Sequence, residues 1–87
     1  MKHNFNAGPS ILPKEVFEEA SQGILNFRDT GLSILEIGHR TALFQSVMDE
    51  AITLTKELMH LDQDHSVLFL HGGATTQFFQ IPMNLLN

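Results

Sequence analysis

The stretch Phe69-Leu70-His71-Gly72-Gly73-Ala74-Thr75-Thr76-Gln77-Phe78 has the clearest chemical content in the sequence. Two glycines between an apolar run and a helical pattern leave several backbone amides free at the positive end of a helix dipole. Small residues at Gly72, Gly73 and Ala74 let a phosphate approach the backbone, and the hydroxyls of Thr75 and Thr76 are further donors. The same residues also describe a tight strand-to-helix turn with Thr75 as a plain cap, and on residue types alone both readings stand. No Gly-Lys-Ser/Thr follows, and the third spaced glycine of a dinucleotide fingerprint is missing. Gly38-His39-Arg40 is the second candidate. Arginine offers a planar fork to a carboxylate or phosphate, with a histidine donor beside it, although a surface arginine in a screened ion pair has the same signature. The third, Phe5-Asn6-Ala7-Gly8-Pro9, is turn chemistry and nothing more.

These residues need elements to hold them. Behind the opening turn, Pro13 suits a first helical position, and Val16, Phe17, Ala20, Ile24 and Phe27 recur at helical spacing until about Asn26. Glu15, Glu18 and Glu19 read as a solvated helix start. Leu32 to Ile37 reads as a short extended segment. Thr41 is the cap of a second, longer helix with Phe44, Val47, Met48, Ala51, Leu54 or Thr55, and Leu58 on its apolar stripe, ending around residues 60–62. Ser66 to His71 is an unbroken apolar run of strand length, which suits a strand buried on both faces. A third helix is predicted from Ala74 or Thr75, with a kink or early end at Pro82.

The order helix, strand, Gly-Gly, helix predicts an α/β protein. A doubly covered strand needs neighbours, and the only other candidate is the weak segment around Ile34. The last residues, Leu85-Leu86-Asn87, continue an apolar helical pattern. The expectation is therefore an incomplete domain. Five Lys+Arg against ten Asp+Glu give a net charge of -5, which disfavours a nucleic-acid partner. Without cysteine there is no disulfide framework and no thiolate metal site. The five histidines lack ligand spacing, so no metal site is expected. No apolar stretch is long enough for a membrane span and no signal region opens the chain; a cytoplasmic protein is the expectation.

Taken together, the stretches are more specific than any one of them. Phe5-Asn6-Ala7-Gly8-Pro9, then Ile11-Leu12-Pro13-Lys14-Glu15-Val16, then Ser33-Ile34-Leu35-Glu36-Ile37-Gly38-His39-Arg40, then Val67 through Phe78 and finally Pro82-Met83-Asn84-Leu85 follow one another over the whole length. In that order the sequence resembles the phosphoserine aminotransferase family, within the class V aminotransferases of the fold type I pyridoxal-phosphate superfamily. The resemblance implies that residues 1–87 are the N-terminal segment of a three-layer α/β/α enzyme. It implies pyridoxal 5'-phosphate as cofactor, with its phosphate on the amides of Ala74 and Thr75. His39 and Arg40 would bind the acidic group of phosphoserine or glutamate. The implied reaction is amino transfer between phosphoserine and 2-oxoglutarate in serine biosynthesis, with phosphohydroxythreonine of vitamin B6 synthesis as a possible second substrate, in a homodimer.

One departure bears on the site. Some family members carry Arg at the position of Thr75, where it helps neutralise the substrate's distal anion; Arg40 and residues beyond this segment would have to supply that charge here. Transamination also requires a lysine that bonds the cofactor and moves a proton. Lys2, Lys14 and Lys56 are the only lysines and none lies in a motif for that role. No catalytic residue is assigned, and the segment by itself is expected to be inactive. Two rivals are a non-enzymatic anion-binding or interaction module and another class V aminotransferase, acting on alanine or a cysteine derivative. A cooperative, monomeric fold of the isolated segment favours the module. The His39-Arg40 pair favours a doubly acidic substrate over the sister enzymes.

Overall fold

The N-terminal turn is organised by Asn4, whose carbonyl accepts from Ile11 N–H at 2.7 Å and from the Ser10 hydroxyl at 3.0 Å. Pro13 then stands at the cap position of α1 (Lys14–Leu25), one residue earlier than its predicted place inside the helix. Its backbone angles, φ -53° and ψ 145°, let its carbonyl accept the first turn's amide from Val16 at 3.0 Å. The computed structural model describes residues 2–86, and the chain divides into two units, Met1–Ser46 and Val47–Asn87.

In the first unit, α1 lies against two short 3-10 turns, Phe27–Asp29 and Ile34–Glu36. The loop that returns the chain is held by Phe27 N–H to Leu32 O at 2.7 Å and Gly31 N–H to Asn26 Oδ1 at 2.8 Å. Arg28 sits at φ 47° and Asp29 at φ 59°, both left-handed. The Arg28 guanidinium lies 4.9 Å from the Phe27 ring centroid and donates to Ser46 Oγ at 3.2 Å. The segment around Ile34, predicted as extended, is a turn instead. Ser33 and Glu36 form a capping box: Leu35 N–H donates to Ser33 Oγ at 3.1 Å and Ser33 N–H donates to Glu36 Oε2 at 2.8 Å. These local bonds win because an isolated apolar tetrad has no strand beside it to satisfy its backbone.

The helix α2 (Ala42–Leu58) starts where Thr41 predicts, with Phe44 N–H donating to Thr41 Oγ1 at 3.2 Å. In the second unit it stops two residues short of the predicted end, in a Schellman closure. Leu61 N–H reaches Lys56 O at 2.9 Å, while His60 occupies the left-handed position at φ 55° that glycine ordinarily fills. Without glycine there, the sequence gives no stop signal at this point. The following loop joins His65 Nδ1 to Asp62 Oδ1 at 2.8 Å. That bond, together with the Asp64 amide, holds the Asp62 carboxyl below its ordinary value. The stabilisation is therefore present above the ordinary carboxylate range and is lost as pH falls through the lowered value; both groups are exposed, so it is small.

Residues 66–70 adopt no helix, turn or strand, and no strand occurs among the described residues. The predicted strand at Ser66–His71 is thus not formed, and with it the α/β sheet is absent from this segment. A strand is defined by ladder bonds to a neighbour, and the only other candidate in the sequence is used up in the capping box at Ser33–Glu36. The third helix, α3 (Gly73–Leu85), starts one or two residues early and runs through Pro82 without ending there. Its last turn closes through Leu86 N–H to Pro82 O at 2.9 Å and Asn84 Nδ2 to Gln80 O at 2.8 Å.

No described residue is buried, and large apolar side chains face solvent in both units: Leu25 is 73% exposed, Leu68 75% and Phe78 83%. Each such side chain gains about 1.5–3 kcal/mol when fully covered, so the segment forgoes most of what holds a domain together. Expressed by itself, residues 1–87 should show weak helical circular dichroism, no cooperative thermal transition and self-association on gel filtration. A sharp melting transition of a monomer is the outcome that contradicts this. Among the described residues no helix is long and apolar enough to cross a membrane.

Candidate functional site

Two candidate stretches with exposed donors emerge from these elements, one in each unit. In the second unit, α3 begins at a glycine pair that no other residue type can replace without cost. Gly72 caps the helix at φ 96° and Gly73 follows at φ 60°. A Cβ on Gly72 would run into the Thr76 hydroxyl and lie 2.6 Å from Thr76 Cβ, whereas one on Gly73 would meet nothing within 4 Å. The first bond of the helix is Thr76 N–H to Gly72 O at 3.3 Å, so the amides of Gly73, Ala74 and Thr75 all precede it. Ala74 and Thr75 are both exposed. The helix dipole places partial positive charge there, and the Gly73 side is open.

Thr76 does not add to this donor set. Its hydroxyl turns back onto Gly72 O at 2.9 Å and locks the glycine corner instead. Thr75, by contrast, has no side-chain hydrogen bond among the described residues. Beside the amides, Ala74, Gln77, Phe78, Ile81 and Pro82 line an apolar groove along α3.

In the first unit, His39 and Arg40 are the two central residues of a β-turn closed by Thr41 N–H to Gly38 O at 3.1 Å. Both side chains are exposed. Among the described residues Arg40 makes no ion pair or hydrogen bond, so the screened-ion-pair reading finds no acidic partner there. Its position is electrostatically unfavourable for the fold: it lies just ahead of Ala42, at the positive end of α2, whose first turn contains no acidic residue. A cation there is destabilising by about 0.3–1 kcal/mol, and an arriving anion would meet the guanidinium and the free amides of the helix start together.

The four predicted residues thus fall in pairs, His39 and Arg40 in the first unit, Ala74 and Thr75 in the second. Sequence reasoning missed two supports of the first pair. One is the capping box, whose Ser33-x-x-Glu36 signature is visible in the sequence. The other is the second bond of Thr41, whose hydroxyl donates to Gly38 O at 2.8 Å while it caps α2. His65 is engaged with Asp62, and no group of three or more potential metal ligands converges among the described residues. Lys14 pairs with Glu18 at 3.7 Å on the surface of α1.

Comparison with known proteins supplies the context. Residues 2–87 match the family model for aminotransferase class-V. The chain is 58% identical over 85 residues to the phosphoserine aminotransferase of Phocaeicola vulgatus, covering 98% of this chain and 24% of that protein. Among solved structures, the phosphoserine aminotransferase from Bacillus circulans subsp. alkalophilus superposes with a TM-score of 0.86 at 45% identity, covering 97% of this chain and 23% of that one. The PLP-bound phosphoserine aminotransferase from Trichomonas vaginalis gives 0.88 at 34% identity, over 99% and 24%. The chain therefore spans about a quarter of the length of the relatives it matches. With the family model matched from residue 2 to the last residue and identity above one half, the chain belongs to the class-V aminotransferases.

Proposed function

We propose that the protein carrying this segment is a phosphoserine aminotransferase, moving the amino group of phosphoserine to 2-oxoglutarate and yielding 3-phosphohydroxypyruvate and glutamate. The reading is carried by the 58% identity with a phosphoserine aminotransferase over 98% of the chain, a span that includes both candidate stretches. In the proposal residues 1–87 form the first part of a three-layer α/β/α domain, and the apolar run Ser66–His71 pairs with strands contributed by the remainder. The exposed apolar side chains support that incompleteness.

The glycine corner fits the phosphate of pyridoxal 5'-phosphate. An uncovered run of amides, small residues on the approach side and the absence of a carboxylate in the first turn of α3 are what a phosphate ester requires. Ala74 and Thr75 would hold it through their amides, with the Thr75 hydroxyl as a further donor. When bound, the cofactor supplies the electron sink that lets an amino group leave one carbon skeleton and join another. Arg40, with a fixed fork of donors, would hold the acidic group of phosphoserine or glutamate, and His39 would donate beside it. Neither is assigned a proton-transfer step. The lysine for that step lies outside the segment, so the isolated segment is inactive in this account.

The proposal also carries a cytoplasmic homodimer, and phosphohydroxythreonine as a second substrate of the same pocket. Steady-state assay of the full-length protein with 2-oxoglutarate tests it. Glutamate formation should be supported by phosphoserine at least about 100-fold better, in kcat/KM, than by alanine or serine, because removing one charge-assisted anchor costs that much. Equal use of alanine would move the chain to a sister class-V enzyme.

A further inference from the structure

We propose that Thr41 is a positioning residue for substrate binding: its one hydroxyl clamps the turn that carries His39 and Arg40 to the start of α2. The inference rests on the reading of Arg40 as an anion-binding residue given above. Three bonds make the clamp. Thr41 N–H closes the turn on Gly38 O at 3.1 Å, and the Thr41 hydroxyl donates to the same carbonyl at 2.8 Å. The hydroxyl oxygen then accepts Phe44 N–H at 3.2 Å, in the first turn of α2. A hydroxyl has one proton to give and lone pairs to receive, so this single atom uses both capacities, one toward the turn and one toward the helix.

The consequence is geometric. Arg40 has no side-chain hydrogen bond among the described residues, and its backbone is carried by the turn that Thr41 closes on Gly38. On the upstream side that turn follows the Ser33–Glu36 capping box, with Ile34 and Ile37 half-buried. On the downstream side the Thr41 side chain is tied both to the turn and to α2. An ordinary N-cap satisfies a helix amide and leaves the preceding turn alone. Here the cap residue also holds the preceding turn, so loss of the hydroxyl loosens the guanidinium as well as the helix end. Bidentate recognition of a carboxylate or phosphate is sensitive to displacement on the ångström scale, so the effect should appear in substrate binding.

The test uses the cofactor-loaded full-length protein with four variants: Thr41→Val, which keeps the shape and removes the hydroxyl; Thr41→Ser, which keeps the hydroxyl; Arg40→Met; and Arg40→Met with Thr41→Val. Thr41→Val should raise the phosphoserine KM about tenfold with kcat within about twofold of native. Thr41→Ser should stay within about twofold in both. On the Arg40→Met background, adding Thr41→Val should change KM by less than about twofold, because the residue it positions is already gone. A native KM for Thr41→Val beside an impaired Arg40→Met overturns the positioning role alone. Effects that multiply in the double variant overturn it as well, since Thr41 then acts independently of Arg40. A native Arg40→Met removes the anion-binding reading and the inference with it. Should Thr41→Val fail to fold, Thr41→Ser still decides: a serine enzyme with a KM raised tenfold contradicts a clamp made by the hydroxyl.

Discussion

Replacing Arg40 with Met in the full-length protein should lower kcat/KM for phosphoserine about 100-fold while leaving the melting temperature unchanged or slightly higher. The magnitude follows from the chemistry of the lost contact. Charge-assisted hydrogen bonds contribute roughly 1.5–3 kcal/mol each, and a fork holding an anion through two of them loses about 3 kcal/mol net when truncated, which is close to a hundredfold. The stability expectation has the opposite sign to that of a typical charge deletion. Arg40 has no acidic partner among the described residues and stands at the positive end of α2, so its removal relieves a repulsion and breaks no ion pair. Arg40→Lys keeps the charge and loses the fork, and should recover only part of the activity. Steady-state kinetics with a melting curve on the same preparations check both halves. An Arg40→Met enzyme that is destabilised and kinetically native would mark Arg40 as a structural residue.

The second large effect belongs to the glycine corner, where the two positions should fail differently. At Gly73, φ 60° is left-handed and a Cβ has free space, so Gly73→Ala suffers backbone strain of about 1–2 kcal/mol without a collision. In a protein of the length of the matched relatives that lowers the melting temperature by only about 1–2 °C per kcal/mol. An alanine that relaxes toward negative φ also turns the Gly73–Ala74 peptide, which carries one of the amides assigned to the phosphate. Its cofactor affinity should therefore fall about 100-fold, far out of proportion to its stability. At Gly72 a Cβ meets Thr76 directly, so Gly72→Ala should damage folding first and cofactor binding through it. Cofactor titration against thermal melting separates the two: Gly73→Ala with native cofactor affinity would count against the phosphate assignment to Ala74 and Thr75.

The ends of the helices were legible in the sequence where a side chain or glycine marks them. Thr41 before Ala42 sits where its residue type implies, and the glycine pair marks the start of α3 to within one or two residues, Gly72 being its cap and Gly73 its first residue. The stop of α2 was not legible, because His60 takes a left-handed angle that sequence reasoning grants to glycine or asparagine. The extended reading of Leu32–Ile37 failed for a different reason. The segment's apolar content suits a strand, but the Ser33-x-x-Glu36 spacing needs no partner elsewhere in the chain and a strand does. The run at Ser66–His71 has the composition of a buried strand and stays unpaired. A strand needs a neighbour to bond, and none is formed among the described residues, so the local pattern and the local structure disagree. The candidate site was legible as two short stretches. What no residue pattern revealed is how Thr76 and Thr41 divide their hydroxyls, one locking the glycine corner and the other joining the Arg40 turn to its helix.

The most direct test of the central claim is an absorbance spectrum of the full-length, cofactor-loaded protein before and after phosphoserine is added without 2-oxoglutarate. The account predicts that the long-wavelength band of the cofactor falls and the band of its aminated form rises in proportion, with full reversal on adding 3-phosphohydroxypyruvate. A protein that binds no cofactor, or whose spectrum ignores phosphoserine and responds to alanine, would contradict it.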